Sequence, residues 1–185
     1  MNKAELGRLA LELRGEVGVD AHAAFDPYRL AEQYGIEVHL LSTLDCVPAA
    51  AHFTVTRPAA FSGALVPVGT GAVILENDAH DRRRRRSTAA HEMAHWVREH
   101  PFTTPLMASS ERGCRIGDRE QEAEATELAG QLLVPTDGAV RLAFRDATDE
   151  DAAERFDVSI EMARWRMNGS GARKRARRAA AARHH

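Results

Sequence analysis

The chain has 185 residues, 28% of them charged and 44% hydrophobic, with a formal net charge of −2 at pH 7. This length is enough for one hydrophobic core, and no stretch approaches the roughly 20 apolar residues of a membrane span. The N-terminus is charged and lacks the apolar stretch of a signal peptide. Cys46 and Cys114 are too few for a disulfide framework, so composition predicts a soluble cytoplasmic protein without a membrane partner.

The first forty residues predict two helices followed by a strand. Apolar residues at helical spacing predict a packing helix over residues 4–17: Leu6, Leu9, Ala10 and Leu13. Asp26 suits the N-cap of a second, short helix, with Pro27 at its first position and Gly35 after its last turn. A strand with partial alternation is predicted at residues 36–41.

Further strands are predicted at residues 51–56, 64–68 and 72–75, with Asn77 as a turn residue after the last. Together with the first strand they predict a small antiparallel or mixed sheet packed on helices. The predicted fold class is therefore α+β.

Residues 91–95 form an H-E-x-x-H pentapeptide, the pattern that builds a catalytic zinc site on a helix. His91 and His95 lie about one helical turn apart on the same face, so both imidazoles can bind one zinc ion. Glu92 projects to the side of that face, where it can reach water at the metal without being a ligand. The alternative is a chance match on a surface helix with two solvated histidines.

A catalytic zinc site needs a third protein ligand, and a predicted helix over residues 122–135 offers one. Its apolar residues form one stripe: Ala125, Leu128, Ala129, Leu132 and Leu133. Glu122 lies about 60° from the centre of that stripe and Glu124 about 100° from it. Glu122 is thus the predicted ligand and Glu124 the reserve, whereas Glu120 and Glu127 are predicted to be solvated. Surface charge is the alternative for all four.

The two motifs together resemble the ImmA/IrrE family of zinc metallo-endopeptidases. Residues 85–95 are similar to its arginine-rich approach, threonine and A-H-E-x-x-H, and residues 122–135 to its block E-x-E-A-[ND]-x-[FL]-A-x-x-L-L-x-P. The chain differs from the family pattern at two positions. Ser87 stands where the family usually has an aromatic residue. Thr126 stands where the family usually has an Asn or Asp that orients a zinc-bound histidine. The Thr126 hydroxyl could accept that hydrogen bond more weakly, which puts activity in question more than metal binding.

The resemblance implies a zincin-like core with a small sheet, an HExxH helix, a glutamate-bearing second helix and C-terminal helices. It implies a zinc-dependent endopeptidase in which His91, His95 and Glu122 hold Zn2+ and Glu92 is the catalytic base. The implied substrate is a protein, a helix-turn-helix repressor of the Xre type. Two alternatives are a zinc-containing regulator that does not cleave, and a zinc hydrolase that acts on another bond.

The C-terminal third predicts a helix-turn-helix-like pair at about residues 150–168, with Ser159 as N-cap of its second helix. The acidic residues of this pair make DNA binding unfavourable, because they would repel the phosphates. The predicted organisation is one metallopeptidase domain over residues 1–172, including this pair. Residues 173–185 are predicted to be a basic, disordered tail.

Charge is unevenly distributed along the chain. The tail holds six of the 25 basic residues, which leaves 19 basic against 27 acidic residues and a net charge of −8 in residues 1–172. The simplest prediction is that the charged side chains of the tail are solvated. The alternative is that the tail makes weak contact with nucleic acid. Residues 82–86 form a second basic block, predicted partly to pair with carboxylates and partly to receive an acidic substrate segment. His100 lies roughly 140° from His95 on a helix and is predicted not to share the metal.

Overall fold

The computed structural model describes residues 1–101 and 119–183. Nine α-helices lie within these ranges: α1 (Lys3–Glu16), α2 (Pro27–Gln33), α3 (Val47–Ala51), α4 (Arg82–Val97), α5 (Arg119–Leu133), α6 (Thr136–Ala143), α7 (Asp149–Phe156), α8 (Ile160–Gly169) and α9 (Ala172–Arg183). Three strands lie there too: β1 (Glu37–Leu40), β2 (Gly63–Val68) and β3 (Gly71–Glu76). The predicted α+β class is confirmed.

The strands form one mixed sheet in the order β1–β3–β2. β1 runs parallel to β3, with Glu37 opposite Val73, and β2 runs antiparallel to it, with Leu65 opposite Ile74. Gly69, in the β2–β3 turn, has a φ of 60°, the left-handed conformation that glycine tolerates in tight hairpins. The sheet confirms three of the predicted strands, at residues 36–41, 64–68 and 72–75.

The strand predicted at residues 51–56 is wrong, because this segment is helical. Pro48 lies in the first turn of α3, and the alanines that follow it lead into a π-turn over His52–Thr56. The Thr54 hydroxyl donates to the Ala50 carbonyl at 2.9 Å, a bond that occurs within helices. Valine and threonine favour a strand in this segment. The alanine run before them and Pro48, which suits a helix start, favour a helix more strongly.

Asn77, directly after β3, holds this irregular segment against the sheet. Its side chain is fully buried, and Nδ2 lies within hydrogen-bond distance of the carbonyls of Phe53 (2.9 Å), Pro58 (3.2 Å) and Phe61 (2.8 Å). Its Oδ1 accepts from the Ala79 amide at 3.1 Å, which confirms the predicted turn role. One buried amide thus replaces the backbone pairing that a strand would have supplied.

The core is organised around α4 and α5, which pack along each other, with α1 on α5 and the sheet beside α4. Fully buried side chains fill this centre: Ala90, Met93 and Ala94 of α4, and Ala125, Leu128 and Leu132 of α5. Arg14 of α1 is fully buried and donates to the carbonyls of Asp20, Ala23 and Leu132. Burial lowers the pKa of the Arg14 guanidinium to about 10.

α7 and α8 form the predicted helix-turn-helix-like pair. Asp157, between them, is left-handed with a φ of 53°, and the Ser159 hydroxyl accepts from the Met162 amide at 3.2 Å, which confirms Ser159 as N-cap. α8 packs closely on α5: the Trp165 ring occupies the space beside Gly130, where that helix carries no side chain. The pair is therefore docked on the core.

The structure differs from the predicted disordered tail, because residues up to Arg183 form helix α9. Ala172 is fully buried and Ala176 is partly buried in the same apolar cluster, while α9 lies against α6 and α8. Arg173 donates to the Asp149 carboxylate at 2.5 Å. Alanines four residues apart supply a narrow apolar stripe that lets this basic segment pack. His184 and His185 lie outside the described residues.

One cluster of buried apolar side chains extends from Leu6 to Ala172. The proposed division of the chain near residue 172 stays a prediction. In the ranges 1–101 and 119–183, no helix combines the length and the apolar character needed to cross a bilayer.

Candidate metal centre

α4 carries His91 and His95 one turn apart, as predicted. The helix begins after Asp81, whose carboxylate accepts from the Arg84 amide at 3.1 Å and so caps the first turn. Met93, between the two histidines, is fully buried, which fixes the orientation of the helix. The Nε2 atoms of the two rings face each other at 3.0 Å.

Glu122, in the first turn of α5, brings its carboxylate to the same point. Its Oε2 lies 3.4 Å from Nε2 of His91, and its Oε1 lies 3.5 Å from Nε2 of His95. One donor atom from each of the three residues lies within 4.8 Å of the others, so the group could hold a metal ion. The two packed helices thus bring together the three residues that the sequence predicts as ligands.

The spacing of these donors fits a tetrahedral zinc ion. Bonds of about 2.0–2.1 Å place neighbouring ligand atoms of a tetrahedron about 3.3 Å apart. The two Nε2 atoms lie 3.0 Å apart, and they lie 3.4 and 3.5 Å from the two different oxygens of the Glu122 carboxylate. Two imidazole nitrogens and one carboxylate oxygen are also a donor set that catalytic zinc takes in proteins. The donor types and their spacing therefore fit a bound zinc ion.

Glu92 does not belong to this donor group. Its Oε2 accepts a hydrogen bond from the Leu65 amide of β2 at 2.9 Å. Since β2 is at the edge of the sheet and lies against α4, this contact holds the carboxylate between strand and helix. Glu92 is thus held by β2 and is not among the three residues of the donor group.

Glu124, the reserve ligand, is engaged elsewhere. Its Oε2 accepts from Nε of Arg98 at 3.2 Å and lies 3.4 Å from Nε2 of His100, while its Oε1 pairs with the Met1 nitrogen. Glu122, not Glu124, faces the two histidines of the motif. The assignment of Glu122 as the metal ligand stays a prediction.

The prediction that Glu127 is solvated is wrong, because its side chain is buried. Its Oε1 accepts from Nη1 of Arg166 at 2.8 Å and from Nε2 of Gln131 at 3.1 Å. Arg166 is itself buried and also donates to the Val134 carbonyl at 3.0 Å. A carboxylate on the far side of the stripe is thus covered by α8, a contact that helical periodicity within α5 does not reveal.

His100 is a residue whose place the sequence reasoning missed. α4 ends at Val97, and Glu99 has a left-handed φ of 51°, so the chain turns back and the helical angle between His95 and His100 does not apply. The Nδ1 atoms of the two rings lie 3.0 Å apart. Burial, with His95 and Arg98 nearby, lowers the pKa of His100. Pro101 was the available signal, since proline commonly follows the end of a helix.

Thr126, predicted to support a zinc-bound histidine, lies on α5 one turn after Glu122. It is exposed, and it lines an open cavity of about 830 Å³ together with Met1, Lys3 and Glu122. In the described part of the chain, the ring nitrogen that faces Nδ1 of His95 belongs to His100. Glu122 belongs both to the lining of this cavity and to the donor group.

The basic block at residues 82–86 is largely engaged in pairing within the chain. Arg85 donates to the buried Glu76 carboxylate at 2.7 and 2.9 Å, and Tyr28 donates to the other oxygen of Glu76 at 2.7 Å. Burial, with the adjacent Glu76 carboxylate, raises the pKa of Tyr28. Asp157 pairs with three arginines of the block: Arg82, Arg83 and Arg86. The prediction that some of these arginines pair with carboxylates is confirmed.

The fold and the donor group together define a protein of the metallopeptidase class, with H-E-x-x-H on one helix and a glutamate on the next. The family model described as the IrrE N-terminal-like domain, a peptidase family, matches residues 31–168. The chain belongs to this family, and the resemblance noted in its two motifs is confirmed. None of the curated proteins compared with the chain matches it.

Proposed function

We propose that this protein is a zinc-dependent endopeptidase in which His91, His95 and Glu122 hold the metal. The observation that carries the proposal is the convergence of these three donors at separations of 3.0–3.5 Å. When bound, Zn2+ would polarise the scissile carbonyl and make water at the site more acidic. Membership of a peptidase family favours this reading over a hydrolase of another bond.

Glu92 is the proposed general base. Its carboxylate would take a proton from water and pass it to the leaving amine, a transfer that typically contributes about 10²–10⁴-fold to the rate. The Leu65 amide, which donates to Oε2 at 2.9 Å, fixes the orientation of the carboxylate. The base is therefore held ready beside the donors before substrate arrives.

The proposed substrate is a protein, a helix-turn-helix repressor of the Xre type, and the proposed location is the cytoplasm. The 830 Å³ cavity beside Glu122 is open and large enough to admit a peptide segment rather than only a small ligand. Support for this class of substrate comes from the motif resemblance. A direct cleavage experiment is therefore needed.

The test is incubation of the zinc-loaded protein with the repressor encoded beside its gene, followed by mass spectrometry of the products. We expect two fragments that sum to the repressor plus one water. Glu92→Gln should yield none at the same zinc content, and Glu154→Gln, which changes an exposed glutamate on α7 away from the cavity, should cleave like the wild type. Cleavage by Glu92→Gln would rule out this base, and an intact repressor with the wild type would contradict the proposed substrate.

The second candidate function is a regulator that contacts nucleic acid through α9. The observation in its favour is a shallow cavity of about 360 Å³ on this helix, lined by Asn168, Arg173, Lys174, Arg177 and Arg178. Cations clustered on one ordered helix face would attract phosphate, with an affinity that falls steeply with salt. This contact would be independent of the metal centre.

Fluorescence anisotropy with a labelled DNA duplex at two salt concentrations tests this candidate. The triple variant Lys174→Gln/Arg177→Gln/Arg178→Gln should lose most of the low-salt binding. Its control loses the same three charges from exposed positions elsewhere: Arg8, Arg29 and Arg57. Equal losses in the two variants would mean that α9 is not a specific contact surface.

A further inference from the structure

His100 lies between His95 and Glu124. Its Nδ1 is 3.0 Å from Nδ1 of His95, and its Nε2 is 3.4 Å from Oε2 of Glu124. Only 8% of the His100 side chain is exposed, so the ring is held by the protein. Arg98 donates to the same Glu124 oxygen at 3.2 Å and fixes that carboxylate in turn.

When His95 binds metal through Nε2, imidazole chemistry decides which nitrogen donates and which accepts in each of these contacts. Two ring nitrogens 3.0 Å apart need one proton between them, since two lone pairs repel and two N–H groups clash. A ligand nitrogen must present its lone pair, so a His95 that binds metal through Nε2 carries its proton on Nδ1. That proton points at His100. Nδ1 of His100 is then the acceptor, and its own proton lies on Nε2, facing Glu124.

We infer that His100 is a positioning residue for His95, accepting a hydrogen bond from Nδ1 and so fixing the tautomer and ring orientation that direct Nε2 to the metal. The inference rests on the metal site proposed above. It assigns to His100 and Glu124, for His95, a supporting role of the kind that the sequence predicted for Thr126, a residue that is exposed and lines the cavity.

Two substitutions separate hydrogen bonding from packing. His100→Asn keeps an acceptor oxygen near the position of Nδ1, whereas His100→Leu keeps the approximate volume and removes the acceptor. Loss of such a supporting partner typically weakens metal affinity about 10–100-fold. We expect that loss in His100→Leu, measured by competition with a chromophoric chelator for Zn2+, and recovery of most of it in His100→Asn. Thr126→Val is the control and should bind Zn2+ like the wild type.

A second measurement reports ligand geometry directly. The visible absorption bands of the Co2+-substituted protein should change in His100→Leu and be retained in His100→Asn and Thr126→Val. Unchanged Zn2+ affinity and Co2+ bands in His100→Leu would overturn the inference, and so would an equal loss in the Asn and Leu variants. If His100→Leu does not fold, comparison of His100→Asn with His100→Ala decides. A wild-type protein that binds no zinc would instead contradict the proposed function itself.

Discussion

Arg86 of α4 binds Asp157, which joins α7 to α8: its Nε donates to the Asp157 carbonyl at 3.1 Å and lies 3.4 Å from the carboxylate. Arg82 donates to the same carboxylate, and Arg83 lies 3.5 Å from it. The helix that carries the H-E-x-x-H motif is thereby tied to the turn of the C-terminal helix pair. Three positive charges on one carboxylate make this tie dependent on pH.

Acid should weaken this connection. Partial burial acts to raise the pKa of Asp157, but the hydrogen bond from Arg82 and the charges of Arg86 and Arg82 outweigh it and hold the pKa below its ordinary value. Because the folded-state pKa is depressed, the contribution to stability is present above the unfolded pKa of about 3.9 and is lost as the pH falls through the folded pKa. Asp157→Asn should therefore unfold more easily than the wild type near pH 7, by a difference that shrinks below about pH 4.

The measurement is urea unfolding of both proteins across that pH range. Asparagine also tolerates the left-handed conformation, so the change removes charge without adding backbone strain. Asp146→Asn is the matched control, because Asp146 is exposed and has the same φ of 53°. A stability difference for Asp157→Asn that stayed constant with pH would show that the arginine contacts act through something other than charge.

The buried pair of Glu127 and Arg166 should be costly to break. Burial lowers the pKa of Arg166, and Glu127 opposes that shift. Glu127→Ala leaves the guanidinium buried without its partner, which typically destabilises a protein by about 3–5 kcal/mol. Glu154→Ala, on the exposed side of α7, should change the free energy of unfolding by no more than about 0.5 kcal/mol. Chemical denaturation compares the two, and similar values would place Glu127 among ordinary surface charges.

The metal content of single variants should follow the donor geometry. His91→Ala and Glu122→Ala each remove one of three donors and should lose most of the bound zinc at a fixed low concentration of free metal. Glu124→Ala should still reach about one zinc per chain at saturation, since its carboxylate faces Arg98 and His100. Metal analysis after dialysis measures this. Loss of stoichiometry in Glu124→Ala with retention in Glu122→Ala would reverse the two assignments.

Removal of α9 should destabilise the fold moderately. Truncation after Gly171 exposes the surface that Ala172 and Ala176 cover and removes the Arg173–Asp149 ion pair. At about 0.8 kcal/mol for each buried methyl-sized group, the expected loss is about 1–2 kcal/mol, seen as a lower melting temperature. Truncation after Arg183 is the control. An unchanged melting temperature in the longer truncation would favour the disordered tail predicted from the sequence.

The sequence predicted those site residues whose spacing is set by one helix. The four-residue interval of His91 and His95, and the position of Glu122 on its apolar stripe, are local properties that a helical period expresses. Glu127 could not be placed in this way. Its partner Arg166 lies 39 residues further along the chain, and burial of a carboxylate depends on that partner.

The other differences have local but competing causes. His100 follows the end of α4 at Val97, so the angle computed for a continuing helix misplaced it. Residues 51–56 carry residues typical of strands but follow an alanine run that favours helix. α9 packs through alanine alone, which the hydrophobic pattern of a tail with six basic residues does not emphasise.

The position of Glu122 depends in part on Gly130, a residue of α5 at its contact with α8. A methyl group at this position would lie 2.5 Å from Cζ3 of Trp165, so any larger residue would require the Trp165 and Arg166 side chains of α8, or α8 itself, to shift. Glu122 lies about two turns earlier on the same rigid helix, and a tilt of that helix would carry its carboxylate with it. Packing of α8 on α5 therefore helps to fix the position of the Glu122 carboxylate. A substitution in α8 at Trp165 is therefore expected to move the Glu122 carboxylate relative to His91 and His95, although Trp165 lies outside the donor group.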